Sequence, residues 1–319
     1  MSITTDTKMI GKAPEFSALL RSLEVAAATD VTVMLQGESG TGKELLARFT
    51  HQQSKRKDLP FVAINCAALP EALAESELFG HRKGAFTGAI QQNTGRIQSA
   101  EGGTLFLDEV AEMPLTVQAK LLRFMESGEY QAVGDTTHKI ANVRIITATH
   151  ADLNSKVKAG EFRADLYYRL NVVPFHVPAL RERTGDIKPL LNDMSGKLAR
   201  QHQLTAPRYS KQCVKLLQTY DWPGNIRELR NFCERMLILF PATEIQVENL
   251  PLEIRNQASD NHFTFQLPDK GLKLDELEQD LLIQALRKTL GNQSRAAKML
   301  GLTRDTFLYR LKKYSIVCS

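Results

Sequence analysis

A chain of 319 residues with 43% hydrophobic and 24% charged residues has the composition of a soluble globular protein of about two or three domains, which excludes a disordered or low-complexity chain. No run approaches ~18 consecutive apolar residues and the N-terminus lacks the apolar core of a signal peptide, so neither a membrane span nor export is expected and the predicted compartment is the cytoplasm. Cys66, Cys213, Cys233 and Cys318 show neither CxxC spacing nor neighbouring histidine pairs, which argues against zinc and a disulfide framework, while the net charge of +5 permits nucleic-acid contact without demonstrating it.

Residues 10–30 predict an amphipathic helix, with Phe16, Leu19, Leu20, Leu23 and Ala27 at helical spacing. Val31, Val33 and Leu35 then alternate with Thr32, Met34 and Gln36 as a short strand would, and glycines follow before a helix-forming run. The segment Gly37-Glu38-Ser39-Gly40-Thr41-Gly42-Lys43 supplies what a triphosphate needs. Its glycines let backbone N–H groups turn inward, a helix N-terminus lies behind them, and the lysine reaches the β and γ phosphates. The residue after the lysine, usually a Ser or Thr that ligates magnesium, is Glu44, so magnesium must be held elsewhere.

The helix continues from Leu45 to Gln53, and a second strand is predicted over Phe61–Asn65. Asn65 is either a solvated strand end or, in a parallel sheet, part of the ligand crevice that such ends line. Between Glu75 and Gly88, the glycines at 80, 84 and 88 bracket Phe86 and Thr87 on a loop tip. An aromatic there either meets a partner or folds back on its own domain. Gly102-Gly103-Thr104 opens the apolar run Leu105-Phe106-Leu107, which ends in Asp108-Glu109. Adjacent carboxylates at the end of a buried strand are costly unless they bind something. With a phosphate loop upstream, Asp108 is the expected magnesium ligand and Glu109 the base that polarises the attacking water.

A helix over Val117–Glu126, a hairpin-like segment from Tyr130 to Ile140 centred on Gly134-Asp135, and a strand over Val143–Thr149 follow, with Thr147 and Thr149 expected beside the γ-phosphate. Arg163 and Arg169 fall on a predicted helix at azimuths about 240° apart, so they serve different faces. Two readings stand at that point: surface pairing with Asp165 or Glu161, or reach toward a neighbour's nucleotide. Beyond Pro174–Pro178 the chain turns helical over Asp186–Gln203, Lys211–Tyr220 and Ile226–Phe240. Arg227, a cation in the first turn of the last of these, either points to an anion close by or is simply solvated. Residues 252–273 are polar and aperiodic and read as a linker. The C-terminal block from Leu274 predicts helix, short helix, glycine turn at Gly301 and a third helix capped by Thr303, which is helix-turn-helix spacing. Thr303, Arg304, Thr306, Tyr309, Lys312 and Lys313 form its expected DNA-facing surface, and a small helical packing module is the other reading of the block.

From about residue 9 to 316 these motifs resemble the bacterial enhancer-binding proteins, the AAA+ activators of sigma-54 RNA polymerase, of the nitrogen-regulator class. GESGTGKE at 37–44 is similar to that family's Walker A and GGTLFLDE at 102–109 to its Walker B. Gly84-Ala85-Phe86-Thr87-Gly88-Ala89 resembles the loop by which the family engages the sigma factor. The resemblance implies that Asn65 is the polar switch restraining Glu109 and that Tyr130–Ile140 is the second surface loop. It implies that Arg163 and Arg169 are trans-acting fingers, that Arg227 is a sensor of ATP, and that residues 274–319 are a Fis-type DNA-binding domain. His150 stands where some members have Asn.

The expected fold is an α/β AAA+ P-loop parallel sheet (1–176), an α-helical lid (177–251), a linker (252–273) and the helix-turn-helix domain (274–319). The implied cofactors are ATP and Mg2+. The implied partners are sigma-54 polymerase, duplex DNA at upstream sites and further copies in a ring, expected to be hexameric. About 35 residues precede the phosphate loop, so no receiver domain is expected and control by a separate protein or constitutive activity is the expectation. The competing function is an AAA+ DNA-binding regulator acting independently of sigma-54; the intact loop at 84–89 argues against it.

Overall fold

Val33-Met34-Leu35 and Leu105-Phe106-Leu107 are apolar toward both faces, and strands of that kind need cover on both sides. A computed structural model describes residues 9–86, 89–257, 271–289, 291–314 and 316, and the chain divides into two units at residues 259 and 260. The first unit opens with α1 (Pro14–Ala27), β1 (Val33–Gln36), α2 (Lys43–Gln52), β2 (Phe61–Asn65), α3 (Glu71–Phe79), α4 (Gly95–Ser99) and β3 (Thr104–Asp108). It continues through α5 (Leu115–Ser127), the antiparallel pair β4 (Glu129–Tyr130) and β5 (Lys139–Ile140), β6 (Arg144–Thr149), α6 (Leu153–Lys158), α7 (Ala164–Leu170) and β7 (Val173–His176).

The main sheet is parallel with order β2-β3-β6-β1-β7. Val33 and Leu35 join Phe16, Leu19 and Leu23 of α1 and Leu46 of α2 on one face, while Met34 joins residues of α3, α5 and α7 on the other. The alternation read at Val31–Gln36 is therefore real, but its second face meets helices and not water. Arg144 opens β6 almost wholly buried, and it donates to the carbonyls of Ala26 (2.9 Å) and Ala27 (3.2 Å), which end α1. At the same end of the sheet, Arg56 donates to both carboxylate oxygens of Asp30, to the carbonyls of Gly102, Gly103 and Asn142, and to Asn142 Oδ1.

After a 3₁₀ stretch at Leu180–Asp186 the lid comprises α8 (Ile187–His202), β8 (Arg208–Tyr209), α9 (Lys211–Thr219), α10 (Asn225–Leu239), β9 (Glu244–Ile245) and α11 (Leu252–Gln257). Its core surrounds Trp222, fully buried with its indole N–H on the Leu217 carbonyl at 2.8 Å. Two features differ from the sequence reading. The two-residue strands β8 and β9 pair in parallel, too short to leave a period. The segment expected to begin the linker at 252 is instead α11, because Ile254 is buried in the lid core; the part of the linker at 258–270 lies outside the described residues.

The second unit comprises α12 (Leu274–Lys288), α13 (Gln293–Met299) and α14 (Arg304–Lys313) around Leu282, Ala285, Ala296, Phe307 and Leu311. Asn292 caps α13 by accepting from Arg295 N, Gly301 makes the turn at φ 65°, and Thr303 caps α14 by accepting from Thr306 N. This is the predicted helix, helix, turn, helix.

Candidate nucleotide-binding and hydrolysis site

The phosphate loop leaves the C-terminal end of β1 and returns as the first turn of α2. Gly40 (φ 77°) and Gly42 (φ 97°) hold left-handed backbone, and a Cβ at Gly40 would meet the Gly224 carbonyl oxygen at 2.4 Å, so glycine is required there. Lys43 is buried to 6% exposure, with Nζ donating to the carbonyls of Gly37 (2.8 Å) and Glu38 (3.2 Å) and lying 3.7 Å from Glu109 Oε1. Burial pushes its pKa down and the facing carboxylates Glu109 and Asp108 pull it back up. Thr41 Oγ donates to the Glu38 carbonyl at 2.8 Å and steadies the turn. Glu44 points to solvent and pairs with Arg48 at 2.8 Å, so its carboxylate plays no part in the loop.

In the register β2–β3, Asn65 lies opposite Asp108 at the strand ends. Burial, then the neighbouring Glu109 charge, raises the Asp108 pKa, the behaviour of a carboxylate suited to a cation. Glu109 takes left-handed backbone at φ 51°, an uncommon conformation for a non-glycine residue that aims its side chain back over the strand end. Its Oε2 accepts from the His150 N–H (3.2 Å) and lies 2.7 Å from His150 Nδ1. The partner expected for Glu109 was Asn65, and here the structure differs: Asn65 Oδ1 accepts from Ala67 N (2.9 Å) and Ala68 N (3.3 Å), capping the turn after β2, while His150 holds the glutamate. Thr149 Oγ accepts from Ala151 N, and Thr147 is buried within β6. Among the described residues no three His, Cys, Asp or Glu side chains gather into a metal site of their own, so a divalent cation at Asp108 would draw most of its ligands from phosphate and water, as magnesium does.

The lid closes on the phosphate loop. The N–H groups of Ile226 and Arg227 donate to the Gly40 carbonyl at 2.9 and 3.3 Å, and Arg227 Nη1 donates to Ser39 Oγ at 3.0 Å. Arg227 therefore sits over the loop, as an arginine facing an anion must. The Glu38 side chain turns away from the cradle to meet Arg181 (2.8 and 2.5 Å) and Asn225 (3.1 Å), which lowers its pKa to about 2. A cavity of about 510 Å³ opens beside Thr41 and Gly42, walled by Ile10, Leu45, Leu190, Met194 and Ile226, a size and character suited to a base and sugar. Arg183, 2% exposed, borders it, stacks over Phe16 at 4.4 Å and donates to the Thr41 carbonyl.

Arg163 is the N-cap of α7 and not a helical residue, so the azimuth comparison with Arg169 does not apply. Its guanidinium pairs with Asp165 at 2.7 Å. Arg169 donates to the Met125 carbonyl at 3.0 Å and lines a cleft with Thr32, Asn142 and Val143, which precede β1 and β6. That is the N-terminal end of the strands, opposite the phosphate loop by the length of a strand, roughly 13–20 Å. Arg169 cannot serve its own loop.

Thr87 and Gly88 lie outside the described residues. Gly84 (φ 84°) has open space around it, as a loop pivot requires. Phe86 is half-buried, its ring 4.9 Å from that of His81, so it folds partly onto its own domain and is less displayed than the glycine spacing implies. Ala85 and Ala89 are tied back to Arg82 and Phe86 by backbone hydrogen bonds. The second loop is fastened to the first: Arg82 N donates to the Val133 carbonyl, Val133 N to that of Gly80, and Arg82 pairs with Asp135 at 2.9 Å.

On α14, Arg304, Tyr309 and Lys312 are exposed. Three expected DNA contacts are otherwise engaged. The hydroxyls of Thr303 and Thr306 lie 2.7 Å apart within the helix cap, and Lys313 is held by Asp275 at 3.2 Å. Acidic residues of α12 therefore take up the basic end of α14, Glu278 pairing with Arg310 as well. Sequence reasoning missed Arg181 and Asn225 as partners of the site, and marked His150 without pairing it with Glu109. The one available signal was position, since His150 directly follows a central strand and Asn225 directly precedes the helix carrying Arg227.

Residues 9–176 match the sigma-54 interaction domain, 181–265 the AAA+ ATPase lid domain, and 273–314 the bacterial regulatory protein, Fis family. The chain is 46% identical over 305 residues to the transcriptional regulatory protein ZraR of Escherichia coli (strain K12), covering 96% of this chain and 68% of that one. It is 41% identical over 338 residues to the DNA-binding transcriptional regulator NtrC of Rhizobium meliloti, covering 97% and 70%. Among solved structures, NtrX from Brucella abortus in complex with ADP is similar at a TM-score of 0.73 and 34% identity, covering 97% of this chain and 69% of that one.

Proposed function

The chain belongs to the family of sigma-54-dependent transcriptional activators, and from that premise we propose that it is an ATPase that binds upstream DNA and spends ATP hydrolysis on remodelling the closed promoter complex of sigma-54 polymerase. The observation that carries the reading is the meeting of Lys43, Asp108, Glu109 and Arg227 at one phosphate loop, beside a cavity fit for a nucleotide base. In this reading the loop N–H groups and Lys43 bind the phosphates, Arg227 senses them from the lid, and Glu109 takes the proton of the attacking water. Asp108 would hold Mg2+, which would supply charge neutralisation of the phosphate oxygens.

Arg169, set at the far end of the strands from its own loop, suits service to a neighbouring copy, and we assign Arg163 and Arg169 to that role in a ring, taken as hexameric. Residues 84–89 are the proposed sigma-54 contact. The exposed Arg304, Tyr309 and Lys312 are the proposed DNA contact. The test is transcription in vitro from a sigma-54 promoter carrying an upstream site. Open complexes are expected with ATP and not with a non-hydrolysable analogue; open complexes formed without hydrolysis, or none in either case, would overturn the reading.

A further inference from the structure

The phosphate loop is gripped from the lid side at three successive residues. The Glu38 carboxylate receives both Arg181 Nη1 (2.8 Å) and Nη2 (2.5 Å), the planar two-point pairing that is the most directional of ion pairs. Asn225 is fully buried at φ 51°, and its side chain bridges both bodies: Nδ2 donates to Glu38 Oε2 and to the Ser39 carbonyl, each at 3.1 Å, and Oδ1 accepts from Leu180 N at 2.8 Å. At Gly40 the carbonyl accepts from the first turn of α10. The backbone carbonyl of the same Glu38 accepts from Lys43 Nζ and from Thr41 Oγ. One residue thus carries the lid on its side chain and the catalytic lysine on its main chain.

We propose that Glu38, Arg181 and Asn225 form a latch through which the position of the lid sets the affinity of the phosphate loop for nucleotide, with Arg181 a positioning residue that acts only through Glu38. This rests on the nucleotide-binding reading above. The charged pair is about half exposed, so an isolated contact of this kind would contribute little. Its leverage comes from the buried Asn225, which fixes the carboxylate, and from the shared residue that ties the carboxylate to Lys43. Binding at the loop and closure of the lid are then two sides of one equilibrium, and weakening either weakens the other.

The experiment is a double-mutant cycle read as the Kd for a fluorescent ADP, on the full chain, with Glu38→Gln, Arg181→Met and the pair together. Each single substitution is expected to raise Kd about tenfold, and the double to raise it no further than the weaker-binding single. Arg181→Lys, which keeps the charge and loses the two-point geometry, should fall between wild type and Arg181→Met. Melting of the same proteins without nucleotide controls for folding, because a merely structural pair would lower that melting point and leave the Kd of the folded protein unchanged. Unchanged Kd values overturn the latch. So do fully additive effects, which would mean that Arg181 touches the nucleotide directly. A wild-type chain that binds no ADP would instead sink the nucleotide-binding reading itself.

Discussion

The strand-end site and the paired surface loops are built from the same materials, glycines at positive φ, backbone hydrogen bonds and ion pairs, but they differ in what holds each functional side chain in place. Lys43 opens α2, whose Leu46, Ala47 and Phe49 are in the core, and Glu109 directly follows β3, whose Leu105, Phe106 and Leu107 are in the core; their exposures are 6% and 15%. Phe86 rests on one ring, and its loop is tied to the second loop by a few backbone bonds and an Arg82–Asp135 pair whose arginine is more than half exposed. In the first arrangement the packing of the carrying elements sets the geometry. The second depends on a small number of polar contacts at the surface. A machine that couples hydrolysis to movement needs both, a reaction centre that does not shift and a working edge that does.

The comparison breaks most visibly at Arg169. If this side chain completes a neighbour's site, Arg169→Ala should lower turnover by about a thousand- to a hundred-thousand-fold. Mixing it with Lys43→Ala protein should restore a measurable fraction of activity, because the intact arginine of one copy then meets the intact loop of another. No recovery in demonstrably mixed assemblies would remove the assignment. Within the rigid site, Glu109→Gln should keep nucleotide affinity and lose about a hundred- to ten-thousand-fold in turnover, whereas Lys43→Ala should lose binding itself. Equilibrium binding alongside single-turnover hydrolysis separates the two.

At the working edge the expected effect is smaller. Phe86→Ala should hydrolyse ATP like the wild type and bind sigma-54 about one to two orders of magnitude more weakly, since burying a Phe side chain contributes roughly 1.5–3 kcal/mol. Parallel loss of hydrolysis would show that the loop is part of the site and would erase the distinction between the two regions. The smallest effect is a pH dependence at Glu38. Its folded pKa of about 2 lies below the ordinary 4.5, so its contribution is complete above 4.5 and lost as the pH falls from there through 2. The stability gap between wild type and Glu38→Gln, followed by denaturant unfolding from about pH 6 to about pH 3, should narrow with acid. A gap that stays constant or widens would contradict the pairing.

What the sequence made legible is the local part of each region. The phosphate loop, the carboxylates ending β3 and the three helices of the second unit follow from spacing and caps, and all stand where the pattern sets them. What stayed hidden was orientation across long separations. Nothing near Asn65 signals that its side chain oxygen caps its own turn while His150, directly after β6, takes Glu109. No local pattern marks Arg144 and Arg183, and both are buried on carbonyls from distant segments. Arg163 was misplaced for a different reason: an azimuth holds only inside a helix, and α7 starts one residue later. The engaged Lys313 depends on α12, more than thirty residues away.

Arg56 bears on the proposed assembly. By joining Asp30, Gly102, Gly103 and Asn142 it fixes the segments that lead into β1, β3 and β6, and Asp30 and Asn142 also border the cleft containing Arg169. In-line chemistry tolerates errors of only about 1 Å in where a reacting group arrives. A side chain delivered from one copy to the next inherits every wobble of the surface that presents it. A lysine at 56 would keep the charge and lose the planar fork that reaches these groups together. If Arg169 serves a neighbouring copy, the margin for alignment between copies is set at the end of the sheet away from the chain's own phosphate loop, in the stiffness of a corner that performs no chemistry.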